Sequence, residues 1–125
     1  MKETRVNRCA APLLAIGLAA LGAAALAHPL PRAASPAPNA VLSSSPPEIR
    51  IAFSEGLVAA FSGLELKDPS GKDVALGPAT VDPNDKKQLA APVKVRLAPG
   101  RYTVNWHAVG DDTHHVSGHY SFQMK

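Results

Sequence analysis

Metal-binding side chains dominate the chemistry this 125-residue chain offers, because it has five histidines and only one cysteine, Cys9. The histidines are His28, His107, His114, His115 and His119, and the last four fall within thirteen consecutive positions. Imidazole is the commonest metal-ligating side chain, although clustering alone also suits polar loop and strand-surface histidines. His28 changes the balance. A histidine that begins a chain brings two nitrogens to one ion, its α-amine and its ring Nδ1, and closes a chelate without ordering any further residue. Pro29 has no amide proton, so the second backbone nitrogen cannot join. Adding His114 and the carboxylate of Asp112, two residues apart, gives three nitrogens and one oxygen. That donor set suits tetragonal copper(II), which the Irving–Williams order places above zinc, while zinc fits the same donors.

For His28 to begin the chain, the residues before it must be removed, and they have the layout of an export signal. Lys2, Arg5 and Arg8 form a basic start, and an Ala- and Leu-rich run extends from Cys9 to about Leu26. It ends on Ala25-Leu26-Ala27, the small-x-small pattern that signal peptidase cuts after. Pro12, Gly17 and the absence of a basic flank on the far side argue against a permanent anchor. We therefore expect residues 1–27 to be cleaved and residues 28–125 to form one domain. A cut after Ala23-Ala24-Ala25 is the alternative. It would put histidine in third position, where copper(II) is bound through deprotonated backbone amides and without the loop.

The remaining 98 residues support one modest core. They carry 10 Lys and Arg against 9 Asp and Glu, so much of the whole chain's net charge of +3 belongs to the leader. Nucleic-acid binding loses its main support, since it needs a concentrated basic patch. Cys9 lies in the leader without a lipoprotein box. The domain itself has no thiol, which excludes disulfides, zinc-finger sites and the cysteine-containing blue-copper centre.

Positioning these donors falls to β-strands. The proline-rich stretch from His28 to Pro47 forbids a helix and favours an extended, edge-like arm. Period-two alternation follows in Ile49, Ile51 and Phe53, in Leu64 and Leu66, in Val93, Val95 and Leu97, in Tyr102, Val104, Trp106 and Ala108, and in Tyr120, Phe122 and Met124. Turn signals stand between them at Asp68-Pro69-Ser70-Gly71, Asp82-Pro83-Asn84-Asp85 and Ala98-Pro99-Gly100. No segment has a helical period. Five short strands in about a hundred residues predict an all-β, two-sheet sandwich or small Greek-key barrel, with Gly77 to Ala91 as a long loop. Pairing Trp106 with Tyr120 and Val104 with Phe122 would bury one aromatic face. It would leave Gly110 to Val116 as an exposed loop holding Asp112, His114 and His115.

A resemblance is carried by His28 with Ser35-Pro36, by Ile51-Ala52-Phe53-Ser54-Glu55, by Ala98-Pro99-Gly100-Arg101-Tyr102-Thr103-Val104-Asn105-Trp106, by Asp112-Thr113-His114, and by Ser117-Gly118-His119-Tyr120-Ser121-Phe122. On these residues the chain from His28 onward resembles the CopC family of periplasmic copper-resistance proteins. It implies a cupredoxin-like β-barrel, a periplasmic location, copper(II) held by His28, Asp112 and His114, and a glutamate near the site that corresponds to Glu55. It also implies a CopD-type inner-membrane partner. Some members carry a methionine-rich copper(I) site in the central loop. Residues 77–91 here have neither methionine nor histidine, and Met124 reads as core, so no copper(I) site is expected.

For the other candidates the plain structural reading weighs more. His107 and His119 would face each other outside the hairpin, as a solvated pair rather than a weak accessory site. His115 neighbours His114 on an extended loop and points away from it. Glu55 serves equally as a strand-end carboxylate or as a group that tunes copper or orients His28. The expected function is non-catalytic buffering, sequestration or delivery of copper by a monomer. Two rivals remain open. One is a copper monooxygenase-like enzyme built on the terminal histidine, and the other is a metal-free β-sandwich interaction module.

Overall fold

The computed structural model describes residues 28–125, so the leader expected at residues 1–27 lies outside the described residues. Among the described residues, nine strands form two sheets: β1 (Pro31–Ser35), β2 (Val41–Leu42), β3 (Glu48–Phe53), β4 (Gly63–Lys67), β5 (Asp73–Val74), β6 (Thr80–Asp82), β7 (Asp85–Pro92), β8 (Gly100–Val109) and β9 (His115–Met124). One sheet has the order β1-β3-β7-β6 and the other β2-β9-β8-β4-β5. The chain passes repeatedly from one sheet to the other, giving the expected all-β, two-layer barrel. The only other element among the described residues is a short 3-10 turn, Ala59–Phe61.

Between the sheets, Ile49, Ile51 and Phe53 of β3 meet Val104 of β8 and Phe122 of β9, all at most 2% exposed. Phe53 sets its ring edge-on to Trp106 at 5.3 Å, and Tyr102 stacks on Phe122 at 5.7 Å. These are the offset and edge-to-face arrangements that aromatic quadrupoles favour. Met124 is buried in the same core.

Both ends of the proline arm lie at edges, β1 beside β3 and β2 parallel to the end of β9. Proline cannot donate to a ladder and is tolerated there. The turn signals also fall where strands reverse. The Asp68 carboxylate accepts the amides of Ser70 and Lys72 at 2.8 and 2.9 Å, while Gly71 supplies φ +83° between β4 and β5.

Three expectations are corrected. Residues 77–91 are not a long loop, because β6 and most of β7 lie there, joined through Asp82 and Asp85. Leu89, Ala90 and Ala91 are all buried, so β7 shows no alternation in the sequence. Val93 to Leu97 is not a strand: only Val93 makes a bridge, to Leu76, and the stretch is irregular. It is held by Val93 N–H to Pro47 O at 3.0 Å and Leu97 N–H to Ser45 Oγ at 2.8 Å.

The third correction is the register of the last hairpin, which pairs Trp106 with Gly118, Val104 with Tyr120 and Tyr102 with Phe122. A two-residue slip keeps each side chain on its face. Gly118 sets the register, since a Cβ there would lie 2.5 Å from Trp106 Cζ2. His107 therefore faces Ser117, and His119 faces Asn105. The His107 ring lies over Gly63, where a Cβ would be 2.5 Å from its Cε1. The directly opposed histidine pair does not form.

Candidate metal centre

Two halves meet at one end of the barrel, the start of the arm and the β8–β9 hairpin tip. Ser54, just beyond β3, fixes the arm. Its amide donates to Leu30 O at 2.8 Å, its Oγ accepts Leu30 N–H at 2.9 Å, and its hydroxyl donates to His28 O at 3.3 Å. Pro29 is buried, and Pro31 pairs with Phe53. His28 is thereby drawn onto the barrel, with its Nδ1 shut off from solvent and without a hydrogen-bond partner.

The hairpin tip is closed by Gly110 N–H to His114 O at 3.1 Å and Thr113 N–H to Gly110 O at 2.9 Å. Thr113 takes a left-handed backbone, φ +70°. That turn brings Asp112 back on His114, whose amide reaches Oδ1 at 3.2 Å and whose ring Nδ1 lies 2.8 Å from Oδ2. Hydrogen bonding from the His114 side chain holds the Asp112 carboxyl below its ordinary range. An ionised carboxylate only accepts, so the proton of this bond sits on Nδ1, and the neutral form of the ring keeps its lone pair at Nε2. A carboxylate behind a histidine in this way fixes both tautomer and ring direction for a metal. The His28 and His114 rings meet edge to face, centroids 4.7 Å apart.

Segment 54–57 joins the halves. Leu57 bridges Gly110, and Asp111 N–H donates to Gly56 O at 3.2 Å. Glu55 Oε1 is buried without a partner. It occupies the space a Cβ on Gly110 would take, and the same Cβ would lie 2.9 Å from Asp112 Oδ1. Glycine at 110 thus lets two carboxylates crowd one spot. Uncompensated burial of such oxygens is costly, so orphaned Nδ1 and Oε1 atoms at one end of the barrel fit a site that takes a cation.

Four predicted residues are therefore gathered at this end: His28, Asp112, His114 and Glu55. His115 starts β9 opposite Val109, and His107 and His119 lie on the outward face of the hairpin. Among the described residues, no three His, Cys, Asp or Glu side chains are drawn tightly enough to close on an ion as they stand. Asp112 Oδ2 is engaged by His114, so loading requires side-chain movement. Sequence reasoning missed Ser54, Gly110 and Thr113. Ser54 stands inside the Ile51–Glu55 motif, but nothing in its type signals that it holds His28.

The CopC domain model matches residues 32–125. The chain belongs to the CopC family. It is 41% identical to protein YobA of Escherichia coli K12 over 90 residues, covering 72% of this chain and 73% of that one. Copper resistance protein C of E. coli is 34% identical over 107 residues, 81% and 84% of the two chains. The copper transport protein CutJ of Bacillus subtilis matches over 112 residues at 26% identity, 90% of this chain but only 21% of CutJ. Among solved structures, CopC from Methylosinus trichosporium OB3b superposes with a TM-score of 0.74 at 28% identity, covering 78% of this chain and 94% of that one. PcoC of E. coli, described as a methionine-rich copper resistance protein, gives 0.70 at 32% identity, covering 79% and 100%. This CopC chain has one methionine after residue 27, and it lies in the core.

Proposed function

We propose that this CopC chain is exported, loses residues 1–27, and binds copper(II) as a periplasmic carrier or buffer in copper resistance. His28 supplies its new α-amine and Nδ1, His114 its Nε2, and Asp112 a carboxylate oxygen, with Glu55 beside them. The observation that carries this reading is the orphaned His28 Nδ1, held by the arm against the His114 ring at 4.7 Å. Nitrogen and carboxylate donors without sulfur favour copper(II) over copper(I). The family's copper resistance relatives support copper as the cargo. Delivery is supported by the match to about a fifth of a longer copper transport protein. We take the recipient to be a CopD-type inner-membrane protein and the carrier to be a non-catalytic monomer.

The test begins with mass spectrometry of the exported protein, which should start at His28. Copper(II) titrations then compare that protein with one carrying an extra alanine before His28. The added residue turns the amine into an amide and should weaken binding by orders of magnitude, whereas equal affinity would exclude the terminal chelate. Copper-loaded protein should make no more peroxide from ascorbate than free copper does. Copper should also raise the thermal midpoint, since a ligand bound only by the folded state must stabilise it.

A further inference from the structure

Thr113 is the only residue of the hairpin tip with a left-handed backbone, and it is the worst kind of residue to hold one. Of the two described non-glycine residues at positive φ, Asn39 belongs to a type that tolerates that region, whereas Thr113 is β-branched and pays for its Cβ there. The conformation survives because three hydrogen bonds converge on it: Gly110 to His114 O, Thr113 to Gly110 O, and His114 to Asp112 Oδ1. Strain of this kind persists only where its surroundings enforce it, and it gathers at functional sites. Here it sits between two proposed ligands. If Thr113 relaxes toward an extended or right-handed backbone, the Asp112 carboxylate loses its reach to the His114 amide and ring. Residues 111–115 are all exposed, so little packing opposes that opening.

We propose that Thr113 is a positioning residue that sets how readily the cradle lets copper go. Its left-handed backbone aims Asp112 at His114 when the loop is closed, and the strain of that backbone favours opening. A carrier must both hold and surrender its cargo, and a strained hinge between two ligands serves the second need. This inference rests on the copper reading above. A release rate limited by opening scales with the open population, so relieving the strain slows release by about tenfold, the factor matching a Cβ penalty of this size.

The experiment compares the parent starting at His28 with Thr113→Asn and Thr113→Val. Asparagine tolerates the left-handed region, and valine keeps the β-branch while losing the hydroxyl. Copper(II) release into excess EDTA is followed by stopped-flow fluorescence of Trp106, and urea unfolding is measured on the metal-free proteins. The expected result is release several-fold to tenfold slower in Thr113→Asn, within twofold of the parent in Thr113→Val, and a higher urea midpoint for metal-free Thr113→Asn. Unchanged release in Thr113→Asn overturns the proposal, even if its stability rises, because the strain would then be borne equally with and without copper. A change in Thr113→Val as large as in Thr113→Asn also overturns it, by assigning the effect to the hydroxyl. A parent that binds no copper sinks the functional reading itself, and this inference with it.

Discussion

Ser54→Ala tests whether the arm is what delivers His28. The substitution deletes the hydroxyl that accepts Leu30 N–H at 2.9 Å and donates to His28 O at 3.3 Å, and it leaves the backbone bond from Ser54 N–H to Leu30 O at 2.8 Å. A neutral hydrogen bond contributes a net of about 0.5–1.5 kcal/mol. The second bond is long and the first is exposed, so the pair contributes about 1–2 kcal/mol to docking the arm. At a factor of ten per 1.4 kcal/mol, the ratio of docked to undocked arm falls about tenfold, and apparent copper affinity falls by up to that factor. The assay is competitive copper(II) titration of protein starting at His28, with thermal unfolding of the metal-free form alongside. Ser45→Ala is the control. It removes a comparable bond, Ser45 Oγ to Leu97 N–H at 2.8 Å, near the opposite end of the barrel where β9 finishes. Both variants should lose a few degrees of thermal midpoint, but only Ser54→Ala should lose affinity. Parent-like affinity in Ser54→Ala, or an equal loss in Ser45→Ala, would refute the reasoning.

Glu55→Gln keeps the shape of a buried, unpartnered oxygen but removes its charge, so metal-free stability should hold or rise while copper affinity drops several-fold in titration. Asp112→Ala and His114→Ala should each lower affinity at least about a hundredfold, and Met124→Leu should leave it unchanged because Met124 is core. The Asp112 carboxyl is held below its ordinary value of 3.8, so its bond to His114 contributes fully above that value and is lost as pH falls through the lower folded value; Asp112→Asn should flatten the acid limb of the unfolding curve there. Tyr120 carries a buried hydroxyl without a partner, and burial pushes it up to about 12. The folded state then keeps a proton that the unfolded chain gives up from about pH 10, so stability declines between about pH 10 and 12. Tyr120→Phe should abolish that decline and raise the urea-derived stability at pH 7 by about 1 kcal/mol, and no gain would mean that the hydroxyl has a partner.

Large side chains made much of this fold legible. Ile49, Ile51 and Phe53, and Tyr102, Val104 and Ala108, alternate because each faces a core on one side only, and the structure buries every one of them. Legibility failed where that condition failed. Residues 89–91 of β7 are buried on both faces, and two are alanines, so the strand reads as featureless. Val93, Val95 and Leu97 alternate in type yet make no strand, because the chain there bonds to Pro47 and Ser45 rather than to a neighbouring ladder. The hairpin register was missed by two residues because hydrophobic pattern fixes only which face is buried. The fit of the Trp106 ring over Gly118 then fixes the alignment along the strand.

Residue type announces donors, and so His28, Asp112 and His114 stood out. What brings donors together depends on contacts between distant parts of the chain, and it rests on residues with no donor chemistry of their own. Residues 54–57 are the common anchor. Ser54 holds the arm through His28 and Leu30, Gly56 holds Asp111, and Leu57 bridges Gly110. An edge arm and a hairpin tip are parts of a β-barrel with few neighbours, and each alone would be among the first to fray. Tying both to the end of β3, whose Phe53 is buried in the core, places them on one rigid element while leaving the proposed ligands Asp112 and His114 exposed to exchange. That division gives the Ile51–Glu55 stretch a part in building the site although only Glu55 has a side chain suited to a metal.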